Sequence, residues 1–200
     1  MNETTHAPTL LAPVTTRPPR PSQFLSSWFS DCPRDQFLEL RALRVCDGRP
    51  HQEWFALDAI DDLVGTAFSL VEEYDVYFGV CPRSRPQGRA EDVTHAPGFW
   101  ADLDFKKFRE GESEALRKLA DFPINPTWII ATGGGYHTYW KLNQVVRWDP
   151  SMQGRLRGIV KMLDADPAAT DRSRVLRVPG TFNHKYVDCQ VRIIAWPTSD

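Results

Sequence analysis

Apolar and polar positions alternate along the chain in two periods, one strand-like and one helical. Phe24, Leu25, Trp28 and Phe29 fall at helical spacing within 23–29, and Leu38 to Leu43 alternates with Glu39 and Arg41 before an Asp47-Gly48 turn, which predicts a strand over 37–43. From Leu57 the apolar residues Leu57, Ile60, Leu63, Val64, Ala67 and Val71 recur at three and four, one face of an amphipathic helix. Asp75-Val76-Tyr77-Phe78-Gly79-Val80 is rich in β-formers and stops before Pro82. A polar loop over 83–97 then leads to Phe99-Trp100-Ala101-Asp102-Leu103-Asp104-Phe105-Lys106, read as a strand. Beyond it the pattern predicts a helix over 112–121, a strand over 127–131, a glycine turn at Gly133-Gly134-Gly135 and a strand over 136–142. A helix over 151–163 follows, opened by Asp149-Pro150-Ser151, then strands over 174–178 and 191–196. Strands interleaved with helices, and no repeat at about 20 to 50 residues, predict an α/β or α+β domain.

Residues 1–22 hold Thr and Pro and little apolar bulk, so they are expected to be a disordered tail to a single domain over 23–200. A net charge of −2 gives no global attraction to nucleic acid, so any such binding must come from a local basic cluster. Cys32, Cys46, Cys81 and Cys189 form no Cys-x-x-Cys pair, which argues against a zinc knuckle and a disulfide framework. With no leader pattern and no apolar run of bilayer length, the chain reads as soluble and cytoplasmic, with no membrane partner.

The acidic strand changes this picture. Alternation puts Asp102 and Asp104 on one face and Ala101, Leu103 and Phe105 on the other. Adjacent carboxylates repel, and a divalent cation with hard-oxygen preference, Mg²⁺ or Mn²⁺, relieves that; a solvated edge strand is the plain alternative. A hairpin needs positive φ at one or two positions, so three glycines invite a further use: backbone N–H groups at Gly134 and Gly135 aimed at an anion, with His137 on the emerging strand reaching a phosphate oxygen. The densest polar stretch runs from Asp166 to Lys185. Arg174 and Arg177 flank Val175-Leu176, so they do not share a face of one regular strand, and one of them leaves before the strand starts. Guanidinium groups converging with Lys185 suit a triphosphate or a nucleic-acid backbone; surface pairing with Asp164, Asp166, Asp171 and Asp188 is the other use.

In order and spacing these pieces resemble the archaeo-eukaryotic primase superfamily, in particular the primase-polymerase catalytic domains of plasmid, phage and other mobile-element replication proteins. The likeness covers roughly 37–196 and rests on Val76-Tyr77-Phe78-Gly79-Val80-Cys81-Pro82-Arg83, on Ala101-Asp102-Leu103-Asp104, on Thr132 to Trp140, and on Asp166 to Lys185. It implies a catalytic core built on an RNA-recognition-like sheet, with a smaller N-terminal α/β part packed against it. Asp102 and Asp104 match the metal-binding acids of the first motif, and His137 matches the histidine of the second. Asp164, Asp166 and Asp171 compete for the third acid; acid-to-arginine spacing selects Asp166, with Asp171 in reserve. Arg174, Arg177 and Lys185, and more weakly Arg83, would hold triphosphate or template. The second motif usually offers a serine where Gly135 stands.

The expected activity is DNA primase or DNA polymerase chemistry: template-directed nucleotidyl transfer from nucleoside triphosphates, with two Mg²⁺ or Mn²⁺ ions on Asp102, Asp104 and Asp166 and single-stranded DNA as template. No helicase motif is present, so a helicase domain or protein is an expected partner. Two other classes fit parts of the pattern. A non-catalytic single-stranded nucleic-acid-binding module would use Trp100, Tyr139 and Trp140 to stack bases. A metal-dependent nuclease would use the acids and leave the glycine and arginine clusters without a role.

Overall fold

The computed structural model describes residues 17–197. Most of the tail expected over 1–22 lies outside the described residues, while Pro21 and Ser22 open the first helix, Pro21 supplying a preset φ at its first turn. The elements are α1 (Pro21–Phe29), β1 (Phe37–Arg44), β2 (Pro50–Ala56), α2 (Ile60–Ser69), β3 (Tyr74–Gly79), β4 (His95–Asp104), α3 (Glu112–Asp121), β5 (Trp128–Ala131), β6 (Gly135–Arg147), α4 (Pro150–Met162), β7 (Val175–Arg177) and β8 (Arg192–Ala195). Short 3₁₀ turns cover Ala90–Asp92, Phe105–Lys107 and Pro167–Thr170.

These strands form two four-stranded antiparallel sheets, β2-β1-β3-β7 and β4-β6-β5-β8. In the second, the run β4-α3-β5-β6-α4 places its third strand between its first two, the RNA-recognition-like arrangement expected from sequence, and β8 adds at the β5 edge. Ala101, Leu103, Ile129 and Tyr136 on one face of this sheet pack against Ala115 and Leu119 of α3 and Val160 of α4. Trp100, Trp128, Ile130 and Tyr139 on the other face join Leu40, Val76 and Phe78 of the first sheet in one core. The smaller N-terminal part is therefore the first sheet with α1 and α2, completed by β7 from late in the chain.

Helix α1 wedges into this core because its apolar residues recur on one side. Phe24 meets Phe78 edge-on at 5.8 Å and both Trp128 and Tyr139 at 5.2 Å, so one ring touches both sheets. Trp28 packs edge-on to Tyr139 and donates its indole N–H to the Val80 carbonyl at 2.9 Å. Both rings are fully buried.

Three elements differ from the sequence reading. Strand β2 has no counterpart in it, because His51-Gln52-Glu53 on a half-exposed edge strand carries no apolar run. Strand β4 begins at His95, before Pro97, since a register shift between Ala96 and Gly98 absorbs the missing donor. Strand β6 continues past Leu142 to Arg147, its far end pairing with His95 and Ala96.

Arg83 leaves the candidate site altogether. Its side chain is fully buried and donates to the Glu39 carboxylate at 2.7 Å, to the Ser173 carbonyl at 2.9 Å and to the Cys81 carbonyl. It ties the end of β3 to the segment before β7, and triphosphate cannot reach it. Arg83→Met should strand Glu39 with only Arg41 and Gln52 as partners and cost about 3 kcal/mol in urea unfolding; a change in nucleotide affinity at unaltered stability would return Arg83 to the site.

Candidate active site

The hydrophobic filling between the sheets ends at the carboxyl end of β4, and polar side chains take its place. Asp102 and Asp104 follow Trp100 on the face of β4 that looks toward the first sheet, while Ala101 and Leu103 face α3 and α4. In the β4/β6 register Asp102 stands opposite His137 and Asp104 opposite Gly135. Strand β7, on the other sheet, brings Arg177 beside Tyr77 of β3. Between them lies a cleft of about 240 Å³ lined by Asp102, Asp104, Gly134, Gly135, His137, Asp166, Arg174, Arg177 and Lys185, together with Tyr77, Asn183 and Tyr186.

Asp166 reaches this cleft through its backbone. Its N–H donates to the Asp102 carbonyl at 2.8 Å, and its carboxylate caps the 3₁₀ turn by accepting from the Ala168 N–H at 3.2 Å. Trp100 anchors the same turn, its indole N–H donating to the Ala169 carbonyl at 2.7 Å. The two rivals for the third acid lie elsewhere. Asp164 pairs with Lys118 on the surface, and the Asp171 carboxylate is spent on the N–H and hydroxyl of Ser173.

Arg174, just outside β7, sets its guanidinium 3.8 Å from Asp102 and 3.7 Å from Asp166. Lys107, from the turn after β4, holds Asp166 at 2.9 Å, and Lys106 lies 3.3 Å from Asp104. Among the described residues nothing donates a hydrogen bond to the Asp102 carboxylate. Burial pushes its pKa up to about 6, Asp166 and Asp104 add to the rise, and Arg174 opposes it. His137, 3.8 Å from Asp102, is pushed down to about 3 by burial and by the Arg177 and Arg174 charges, so it is a neutral ring with an unpartnered Nδ1. Asp166 stays below the usual carboxylate range: burial raises it, but Lys107 and the Ala168 N–H outweigh that.

No group of three or more His, Cys, Asp or Glu side chains among the described residues is close enough to hold a metal ion as it stands. The expected trio is instead neutralised by Arg174, Lys107 and Lys106. A divalent cation still suits the donor set, since a mostly buried carboxylate with no hydrogen bond faces two like-charged neighbours.

Sequence reasoning passed over several residues of the cleft. Asp75 accepts from Arg177 at 2.7 Å and from the His184 N–H at 3.0 Å, and Tyr77 lies under the Arg177 guanidinium at 4.9 Å, so Arg177 is fixed between an anion and a ring. Asn183 donates to the Thr132 carbonyl at 2.6 Å and accepts from the Lys185 N–H at 3.3 Å, joining the glycine turn to the lysine loop. The glycines serve close approach: a Cβ on Gly134 would lie 2.0 Å from the Tyr186 hydroxyl, and one on Gly135 would lie 2.1 Å from the Leu103 carbonyl. Lys106 and Lys107 were legible as the cations that follow the acidic strand; the Tyr77–Arg177 pair was not, because it exists only once β3 meets β7.

No family model matches the chain. A replication protein of Clostridium perfringens is 27% identical over 125 residues, a match that covers 58% of this chain and spans 30% of that protein's length. The archaeo-eukaryotic primase domain of the cyanophage S-2L primase-polymerase superposes with a TM-score of 0.64 at 13% identity, over 88% of each chain. The catalytic domain of primase RepB', solved with initiator DNA, superposes with a TM-score of 0.60 at 17% identity, over 89% of this chain and 86% of that one. The fold of this protein is that of the archaeo-eukaryotic primase-polymerase catalytic domain.

Proposed function

We propose that the chain is the catalytic domain of a replication primase or primase-polymerase, joining nucleotides from nucleoside triphosphates on a single-stranded DNA template. What most supports this is the pairing of Asp102 and Asp166 across one guanidinium, in a cleft that Arg177 enters from the other sheet and that Lys185 and the neutral His137 also line. Acids and phosphate ligands converging on one cleft is the charge pattern phosphoryl transfer needs.

Asp102, Asp104 and Asp166 would hold Mg²⁺ or Mn²⁺, which when bound neutralises charge on the α-phosphate and lowers the pKa of the attacking 3′-hydroxyl. Arg177 enters this chemistry pre-oriented by Asp75 and Tyr77. Lys185 stands beside Lys106, whose neighbouring ammonium holds it below the usual lysine range, a cost that an oligophosphate between them would relieve. His137, being neutral, offers one N–H to a phosphate oxygen and adds no net charge. Asp102 is partly buried where the core between the sheets ends, so these charges are screened less than they would be on the open surface.

Asp102→Asn combined with Asp104→Asn should abolish extension of a primed template with either metal while leaving the circular dichroism spectrum native; undiminished extension would remove the reading. Asp102→Asn alone should be stabilising. The folded protein holds the Asp102 proton up to about pH 6 against the ordinary 3.8, so the stability conferred by this proton is present at low pH and lost as pH rises through 6. Thermal unfolding should show the Asn variant more stable by about 2 to 3 kcal/mol at pH 7, with the difference vanishing near pH 4. His137→Ala should raise the nucleotide Michaelis constant several-fold and change turnover less; an effect confined to template affinity would contradict its assignment.

A further inference from the structure

A second depression lies on the far side of the 3₁₀ turn that carries Asp166. It is an open groove of about 710 Å³ between α4 and that turn, floored by Trp148 and edged by Gln153, Arg157, Thr170 and Arg172. Its acids and bases are unequally engaged. The Asp149 carboxylate caps α4, accepting from the Met152 N–H at 2.8 Å and the Ser151 hydroxyl at 2.8 Å, and the Asp171 carboxylate is committed to Ser173. Arg157 lines the groove with no ion-pair partner among the described residues, and Arg172 makes only a 3.5 Å contact to the Val93 carbonyl. Two uncommitted guanidinium groups thus overlook an aromatic floor. Trp148 is held there against Trp100 at 6.0 Å between ring centroids, and by its backbone N–H on the Thr94 carbonyl at 2.8 Å.

We infer that this groove binds single-stranded DNA, Arg157 and Arg172 taking successive phosphates and Trp148 offering a face to a base. Unpaired guanidinium beside a half-buried aromatic that lines the groove is the chemistry that holds a single strand without reading its sequence. The wall decides why a strand should lie here. The Pro167–Thr170 turn separates the groove from the acidic cleft by its own thickness: Asp166 opens it toward the cleft, and the Thr170 carbonyl accepts from Gln153 at 2.8 Å on the groove side. A strand crossing that turn passes from the groove directly to the reacting centre. The identification of the ligand as template rests on the polymerase reading; the binding itself is tested apart from it.

The experiment measures fluorescence anisotropy of a labelled oligothymidylate on the full chain, with no nucleotide and no divalent ion, across a salt series. Arg157→Glu with Arg172→Glu should weaken binding about tenfold or more, and the slope of log affinity against log salt should become shallower by about 1.4, about 0.7 for each phosphate no longer neutralised. Arg34→Glu with Arg49→Glu makes the same change in net charge at exposed sites outside the groove and should leave the slope near wild type. Arg157→Gln with Arg172→Gln stands in if the doubly reversed protein fails to fold. Equal losses in the groove and control variants, or unchanged affinity in the groove variant, would overturn the inference. Loss of polymerase activity from the wild type would strike the proposed function and leave this comparison readable.

Discussion

Everything in the cleft depends on a partly buried carboxylate to which no described residue donates a hydrogen bond. Asp102 occupies the point where the core between two sheets gives way to a polar cleft, and its charge is balanced only at arm's length by Arg174 and opposed by Asp104 and Asp166. That arrangement destabilises the folded chain. The residues around it are fixed for other reasons: Trp100 and Tyr139 are buried core, and Asp166 is tethered by its backbone hydrogen bond to Asp102 as well as by its cap and its lysine.

The protein supplies its own counter-charges in the meantime. Arg174 spans Asp102 and Asp166, Lys107 sits on Asp166 and Lys106 on Asp104. Each of these three acids thus faces a cation, so the acidic half of the cleft is close to electrically neutral. The two halves of the cleft are positioned differently. The acids ride on the RNA-recognition-like sheet, whose inward face continues the core, whereas Arg177 is held by Asp75 and Tyr77 on the other sheet.

The sequence made the acidic strand, the histidine after the glycines and the acid-to-arginine stretch legible because each is local: alternation places Asp102 and Asp104 on one face, and a flanking pair around Val175-Leu176 forces Arg174 out of β7. Choosing among Asp164, Asp166 and Asp171 needed the motif resemblance, because the backbone hydrogen bond that ties Asp166 to Asp102 exists only in the folded chain. Arg83 misled because a polar loop with three arginines looks solvated; its partner Glu39 lies 44 positions away, on a strand it meets only after folding. Strand β2 was illegible for the opposite reason, being an edge whose polar residues carry no period.

Strand β7 belongs to the first sheet, yet it follows α4 of the second. A recombination event that carried off residues 95–197 alone would take the acids, the histidine and Arg177 but abandon Asp75, Tyr77 and the strand β7 leans on. The guanidinium would arrive in its new host without anchor or orientation. Such a unit can be transferred only whole, so its boundaries are dictated by the threading of one three-residue strand.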